Sequence, residues 1–232
     1  MRLADLPEVR AIHLFRSMEE ETFNSIFKAA YFQTFPEQVD LIEEGNPADF
    51  LYVVVEGCVE LHAKANGRET TMAMVLPVGT FILAAVLNDS VYLMSARTCQ
   101  KSRILMIPSQ DIRAAIEKDK AFAAAIIREL ANCYRAVVKE HKGLKLRSAV
   151  ERLANRLLRY NDAQGGSGSL LLPFDKRTLA SLLGMAPENL SRAFNTLKPY
   201  GVVVDGSTVH LTDIKALKML AKPNSLIDDR VI

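Results

Sequence analysis

The stretch TLASLLGMAPENLSRAFNTLKPYGV, Thr178 to Val202, carries the reading from which the rest of the chain is placed. Asp175, just ahead of it, caps a helix running through Leu183, and Gly184 supplies a turn. Pro187 then opens a second helix where a missing N–H costs little, and Gly201 ends it. On that second helix Leu190, Phe194 and Leu197 form an apolar face at helical spacing. Glu188, Ser191 and Arg192 share another face at i, i+3 and i+4. The following VVVDGSTVHL reads as a strand, an Asp205-Gly206 turn and a strand, which is a wing. Helix, tight turn, helix and wing make a winged helix-turn-helix, whose second helix enters the DNA major groove.

The exposed trio fits that partner chemically. Arg reads guanine O6 and N7 with two hydrogen bonds, Glu accepts from the cytosine amino group, and Ser serves a base or a phosphate. Arg192, Glu188 and Ser191 are therefore the candidate base readers. Lys176, Arg177 and Lys198 are candidates for phosphate contacts, which position the domain without reading sequence. Two alternatives stand beside this reading: a surface salt bridge between Glu188 and Arg192, and a winged domain that docks a protein.

Working outward, Leu146 to Tyr160 reads as a helix and Leu170 to Pro173 as a small strand. The GGSGS run at Gly165 to Ser169 is then a loop inside the last domain and not a boundary. Upstream, residues 109–142 contain neither proline nor glycine. There Ile127, Leu130, Tyr134, Val137, His141 and Leu144 alternate steps of three and four, a heptad seam that pairs with a second copy or packs on its own domain. Gly143 is the expected break and hinge. From Phe35 to Pro108, short runs rich in Val, Leu, Phe and Tyr alternate with turn signals, Asn66-Gly67 being the best hairpin turn. Such spacing implies an antiparallel barrel or jelly roll. Ser17 to Ala30 reads as a short helix with acidic residues in its first turn, Glu19 to Glu21. The expected fold class is α+β: a jelly-roll sensor domain over 1–108, a dimerisation helix and hinge over 109–143, and a winged helix-turn-helix over 144–232.

Composition agrees with this order. With 232 residues, 49% hydrophobic and 24% charged, the chain can bury a real core in one or two domains. The net charge of +2 hides an asymmetry: 13 Lys and Arg stand against 8 Asp and Glu from residue 145 onward, and 16 against 19 before it. A basic excess at the carboxy-terminal end suits nucleic acid. The apolar run Phe81 to Leu87 is too short to span a bilayer, and the amino terminus lacks a basic-then-apolar pattern, so a cytoplasmic protein with no membrane partner is expected. Three scattered cysteines, Cys58, Cys99 and Cys133, fit reduced thiols. No metal-ligand spacing, P-loop, dinucleotide fingerprint or nucleophile elbow suggests an enzyme.

With these residues in place, almost the whole chain resembles the family of the cyclic-AMP receptor protein and the fumarate-nitrate regulator. Glu188, Ser191 and Arg192 resemble the fumarate-nitrate type of recognition helix, whose relatives read two-fold symmetric DNA with TTGAT-like half-sites. Pro187 stands where the cyclic-AMP receptor carries another base-reading arginine, and Ala186 is a poor cap where relatives often have Ser or Thr. The resemblance implies a homodimeric transcription regulator that, as an activator, also meets RNA polymerase.

The resemblance leaves the signal open. Nucleotide-binding relatives place a glutamate after the glycine corresponding to Gly79, and an Arg-Ser or Arg-Thr pair farther on. Here Thr80 replaces the glutamate and Tyr92-Leu93 falls at the phosphate pair, which argues against a cyclic nucleotide, because a buried phosphate without such donors is costly to desolvate. Arg97-Thr98 restores the pair only through a slipped register. The would-be sensor pocket is instead apolar: Gly79, Thr80, Phe81, Leu83, Leu93 and Met94 line it, with Ile82, Val86 and Leu87 nearby. It closes as ordinary core or admits an apolar ligand. The segment is similar to that of heme-associated, nitric-oxide-responsive members, which makes heme a candidate cofactor and His13, His62, His141 and the three cysteines candidate ligands, His141 first because it lies on the seam. The first cysteine being Cys58 argues against the amino-terminal iron–sulfur cluster of the fumarate-nitrate regulator. A thiol redox sensor stays open without a paired-cysteine signature.

Overall fold

The computed structural model describes residues 5–229, so the outermost ends of the first and last expected domains lie outside the described residues. The chain divides into two compact units, 1–133 and 134–232, with the boundary inside a long helix.

In the first unit, helices α1 (Leu6–Ala11) and α2 (Glu20–Lys28) precede a run of short strands. These are β1 (Tyr31–Phe35), β2 (Asp40–Ile42), β3 (Phe50–Glu56), β4 (Val59–Ala65), β5 (Arg68–Val75) and β6 (Gly79–Phe81). After helix α3 (Leu83–Asn88) come β7 (Ser95–Thr98) and β8 (Ser102–Pro108). They form two four-stranded antiparallel sheets, ordered β1-β8-β3-β6 and β2-β7-β4-β5. This is the jelly roll that the spacing of turns implied. Asn66 and Gly67 both have positive φ, 50° and 71°, at the tip joining β4 to β5, as a two-residue hairpin turn requires. Leu51, Val53, Val59, Leu61, Ile104 and Ile107 fill the barrel interior. Phe15, Phe27 and Phe122 extend this core towards the helices, with ring centroids 5.1 and 6.2 Å from Phe15.

The proline-free helical zone is not one helix. Helix α4 (Ser109–Lys118) ends at the fully buried Asp119, and α5 (Lys120–Leu146) starts after it. Asp119 Oδ1 accepts the Phe122 N–H at 2.9 Å and Oδ2 accepts the Glu19 N–H at 2.7 Å. One carboxylate thus caps α5 and secures the residue that starts α2.

The expected break at Gly143 is also corrected. Helix α5 runs through Gly143 to Leu146, and a Cβ at Gly143 would meet only Ile227 at an ordinary 3.9 Å. The chain breaks at Arg147 and Ser148 instead. Ser148 and Glu151 form a reciprocal capping box that opens α6 (Ala149–Ala163), three residues later than Leu146. One glycine costs a helix about 1 kcal/mol, too little to stop one that is bonded on both sides.

The second unit continues with β9 (Ser169–Leu171), α7 (Lys176–Leu182), α8 (Pro187–Leu197), a 3-10 turn over Lys198–Tyr200, β10 (Val202–Asp205), β11 (Thr208–Leu211), α9 (Ile214–Ala221) and α10 (Ser225–Asp228). Its sheet is ordered β10-β11-β9, so the strand after GGSGS pairs with the wing and the loop is internal to this domain. Gly201 takes φ 80°, and a Cβ there would lie 2.4 Å from the Asp213 backbone nitrogen. That close approach lets Thr212 N–H bond to Gly201 O at 2.7 Å and fixes the start of the wing.

Candidate nucleic-acid interface and sensor barrel

The two helices of the turn are cut as their sequence suggests. Asp175 Oδ1 accepts the Thr178 N–H at 2.8 Å at the head of α7. Ala186 precedes α8 with no side-chain cap bond, and Pro187 occupies the first turn. Leu190, Ala193, Phe194 and Leu197 are buried against Leu153, Leu157, Leu179 and Val202 in one core. That burial turns Glu188, Ser191 and Arg192 to solvent. Ser191 Oγ bonds back to Pro187 O at 3.2 Å, while no ion pair joins Glu188 to Arg192 among the described residues. Lys176 and Arg177 are exposed in the first turn of α7, and Lys198 is exposed just beyond α8. An open groove lined by Lys176, Ser191, Asn195, Lys198 and the wing residues Val203 and Val204 runs beside α8. Cationic and hydroxyl side chains on a groove wall can hold a phosphate backbone while the free heads of Glu188 and Arg192 reach base edges.

In the barrel, the expected pocket residues separate. Phe81 and Leu83 are buried in the core, with Phe81 stacked 5.1 Å from Tyr52, and Met94 packs against that core from its surface. Leu93 is 78% exposed and does not join them. Its neighbour Tyr92 is drawn inward by backbone bonds to Gly45 and Asn46, at 2.8 and 2.9 Å, and alternation then turns Leu93 outward. Phe81 and Leu83 thus lie in the core, whereas Leu93 lies outside it.

Thr80 has a partner that no local pattern announced. Its hydroxyl donates to Glu129 Oε1 on α5 at 2.7 Å, and Glu129 Oε2 lies 3.1 Å from His13 Nε2. The separations of 49 and 116 residues explain why the sequence was silent. Arg97 is held by Glu60 at 3.1 Å and Glu69 at 3.3 Å. The Thr98 hydroxyl is buried, donating to Pro36 O at 2.8 Å and accepting the Val39 N–H at 2.9 Å. The slipped-register pair is thus bonded within the barrel's own structure.

Along α5, Ile127, Tyr134 and Val137 are 67%, 71% and 66% exposed, and His141 is exposed beside them. Leu130 instead packs against the barrel core, so one seam residue follows the alternative reading. Among the described residues no three His, Cys, Asp or Glu side chains converge as a metal site.

Residues 32–119 match the cyclic nucleotide-binding domain family, and residues 151–220 match the Crp-like helix-turn-helix domain. The chain belongs to the CRP/FNR family. It is a DNA-binding transcription regulator of that type. The chain is 22% identical over 215 residues to the CRP-like cAMP-activated global transcriptional regulator of Mycobacterium tuberculosis, covering 90% of this chain and 96% of the relative. It is 23% identical over 184 residues to the nitrogen fixation regulation protein FixK of Rhizobium meliloti, covering 78% and 82%. The solved structure of FixK2 from Bradyrhizobium japonicum shares the fold with a TM-score of 0.70 at 22% identity, over 84% of this chain and 98% of that one. In this CRP/FNR chain, the family implies dimers on DNA, and neither matched domain is catalytic. No described helix is long and apolar enough to cross a membrane.

Proposed function

We propose that this CRP/FNR regulator reads a two-fold symmetric DNA site through Glu188, Ser191 and Arg192, and that its barrel answers to a signal other than a cyclic nucleotide. The exposed face of α8, opposite its buried Leu190, Phe194 and Leu197, carries the DNA-reading part. Lys176, Arg177 and Lys198 supply the phosphate contacts, and the half-sites are TTGAT-like by resemblance. Ile127, Tyr134 and Val137 form the dimer seam, which leaves Leu130 and His141 at its margins. Where the protein activates, RNA polymerase is its further partner.

The signal part rests on the partners of Thr80, Arg97 and Thr98. The Thr80, Arg97 and Thr98 side chains are bonded to Glu129, to Glu60 and Glu69, and to Pro36 and Val39. Exchanging those bonds for a buried phosphate leaves Glu60 and Glu69 without their arginine. Control by cyclic AMP is the second reading, favoured by the name of the mycobacterial relative. Calorimetric titration of the full-length protein with cyclic AMP separates the two. No saturable heat up to millimolar ligand is expected, and micromolar binding contradicts the proposal.

A further inference from the structure

The barrel brings together two of the chain's three cysteines. Ladder β4–β7 pairs Val59 with Thr98, Glu60 with Arg97 and Leu61 with Ala96, so one step beyond it Cys58 stands directly opposite Cys99. The Cys99 N–H donates to Cys58 O at 3.0 Å, which brings the two residues side by side. Residues opposed across an antiparallel pair have Cα atoms about 4.5–5.5 Å apart, inside the roughly 4.4–6.8 Å that a disulfide spans. Ser102 Oγ, which accepts the Cys58 N–H and donates to Cys58 O, both at 3.1 Å, holds this end of β4 in place. Cys58 is buried, whereas Cys99 is partly open to solvent.

We propose that Cys58 and Cys99 are an oxidation site at which a small hydroperoxide forms a reversible intramolecular disulfide. The step begins with the Cys58 thiolate attacking the distal peroxide oxygen. The O–O bond breaks, the leaving alkoxide or hydroxide takes up a proton, and Cys58 becomes a sulfenic acid. The Cys99 sulfur then attacks the Cys58 sulfur, the S–O bond breaks, and the hydroxide leaves as water with the Cys99 proton. Overall, two thiols and one peroxide give one disulfide, water and an alcohol, or two waters when the peroxide is hydrogen peroxide. The neighbouring Cys99 thiol holds the Cys58 thiol below its ordinary pKa, although burial and the Glu60 charge oppose this. The nearness of Cys58, with burial, raises the Cys99 thiol. That polarity suits Cys58 as attacking sulfur and Cys99 as resolving one. Arg97, paired with Glu60 at 3.1 Å, offsets the nearby carboxylate, and the Cys99 thiol also reaches Arg97 O at 3.9 Å.

The site deepens the reading that the barrel receives a non-nucleotide signal. Its test reads sulfur chemistry alone, so its failure is distinct from any failure of nucleotide or DNA binding. Full-length Cys133→Ser protein, which removes the third and exposed thiol, is titrated with hydrogen peroxide, acid-quenched, unfolded and alkylated, and its peptides are weighed. Cys58 and Cys99 should lose alkylation together, appear as one cross-linked peptide lighter by two hydrogens, and recover fully with dithiothreitol. A Cys99→Ser version should lose the cross-link and carry Cys58 on to sulfinic acid. Oxidation of either cysteine alone in the two-cysteine protein, or survival of both thiols at peroxide levels that oxidise an unfolded control, overturns the proposal.

Discussion

Arg147 and Asp228 show how single residues act away from the exposed face of α8. The Arg147 guanidinium donates to both Asp228 oxygens, at 2.7 and 2.6 Å, and both side chains are mostly buried. Burial pushes the Asp228 carboxyl up, yet the arginine and the Asn224 N–H outweigh it and hold the carboxyl below its usual value. A carboxyl whose folded pKa is depressed stabilises fully above its unfolded value of about 3.9, and this stabilisation is lost as pH falls through the folded pKa. Replacing Arg147 by Met leaves a buried charge and is expected to cost roughly 3–5 kcal/mol at neutral pH. Thermal melts at neutral pH and at pH values below the usual carboxylate range should show that penalty shrinking in acid; a pH-independent penalty contradicts the ion-pair account. Neither residue was legible in advance, since 81 positions separate them. The common exposed face of Glu188, Ser191 and Arg192 was legible, because their separation is local and the helix fixes it.

At the scale of elements, α8 shows both what local chemistry specifies and what it omits. Pro187 and the apolar spacing placed the helix, and Ala186 marked a weak start that the structure leaves without a side-chain cap. Ala186→Ser should stabilise the protein by about 1 kcal/mol, read as a shift in the urea midpoint at unchanged slope. No shift would mean that the first turn of α8 does not need the cap. The errors at Gly143 and Asp119 share a cause. A glycine is only a weak stop signal, and the capping box at Ser148 outcompetes it. Asp119 ends α4 through a bond to Glu19, 100 residues away, which periodicity cannot register. Leu93 failed similarly: the inward turn of Tyr92 is set by bonds to Gly45 and Asn46, so the phase of exposure could not be counted from Phe81.

For the whole molecule, turn spacing and charge asymmetry were enough to order barrel, helix and winged domain. The identity of the signal was not legible, because the pocket is decided by partners drawn from distant strands and from α5. Exposed Ile127, Tyr134 and Val137 make pairing of two copies the expected state. Val137→Glu should convert the protein to a monomer in sedimentation velocity and weaken binding to a two-half-site duplex while leaving half-site binding unchanged. A Val137→Glu protein that remains dimeric would move the seam elsewhere. The central claim is that α8 reads bases, and one measurement addresses it most directly. Fluorescence anisotropy would compare the parent protein and Arg192→Ala on a duplex that the parent selects from a random pool, and on a scrambled duplex, over a salt series. The account predicts a two-fold symmetric selected site. It also predicts a loss of about 1–3 kcal/mol on that site, roughly five- to 150-fold, with little change on scrambled DNA. Equal weakening on both duplexes, accompanied by a shallower salt slope, would make Arg192 a phosphate contact and contradict the account.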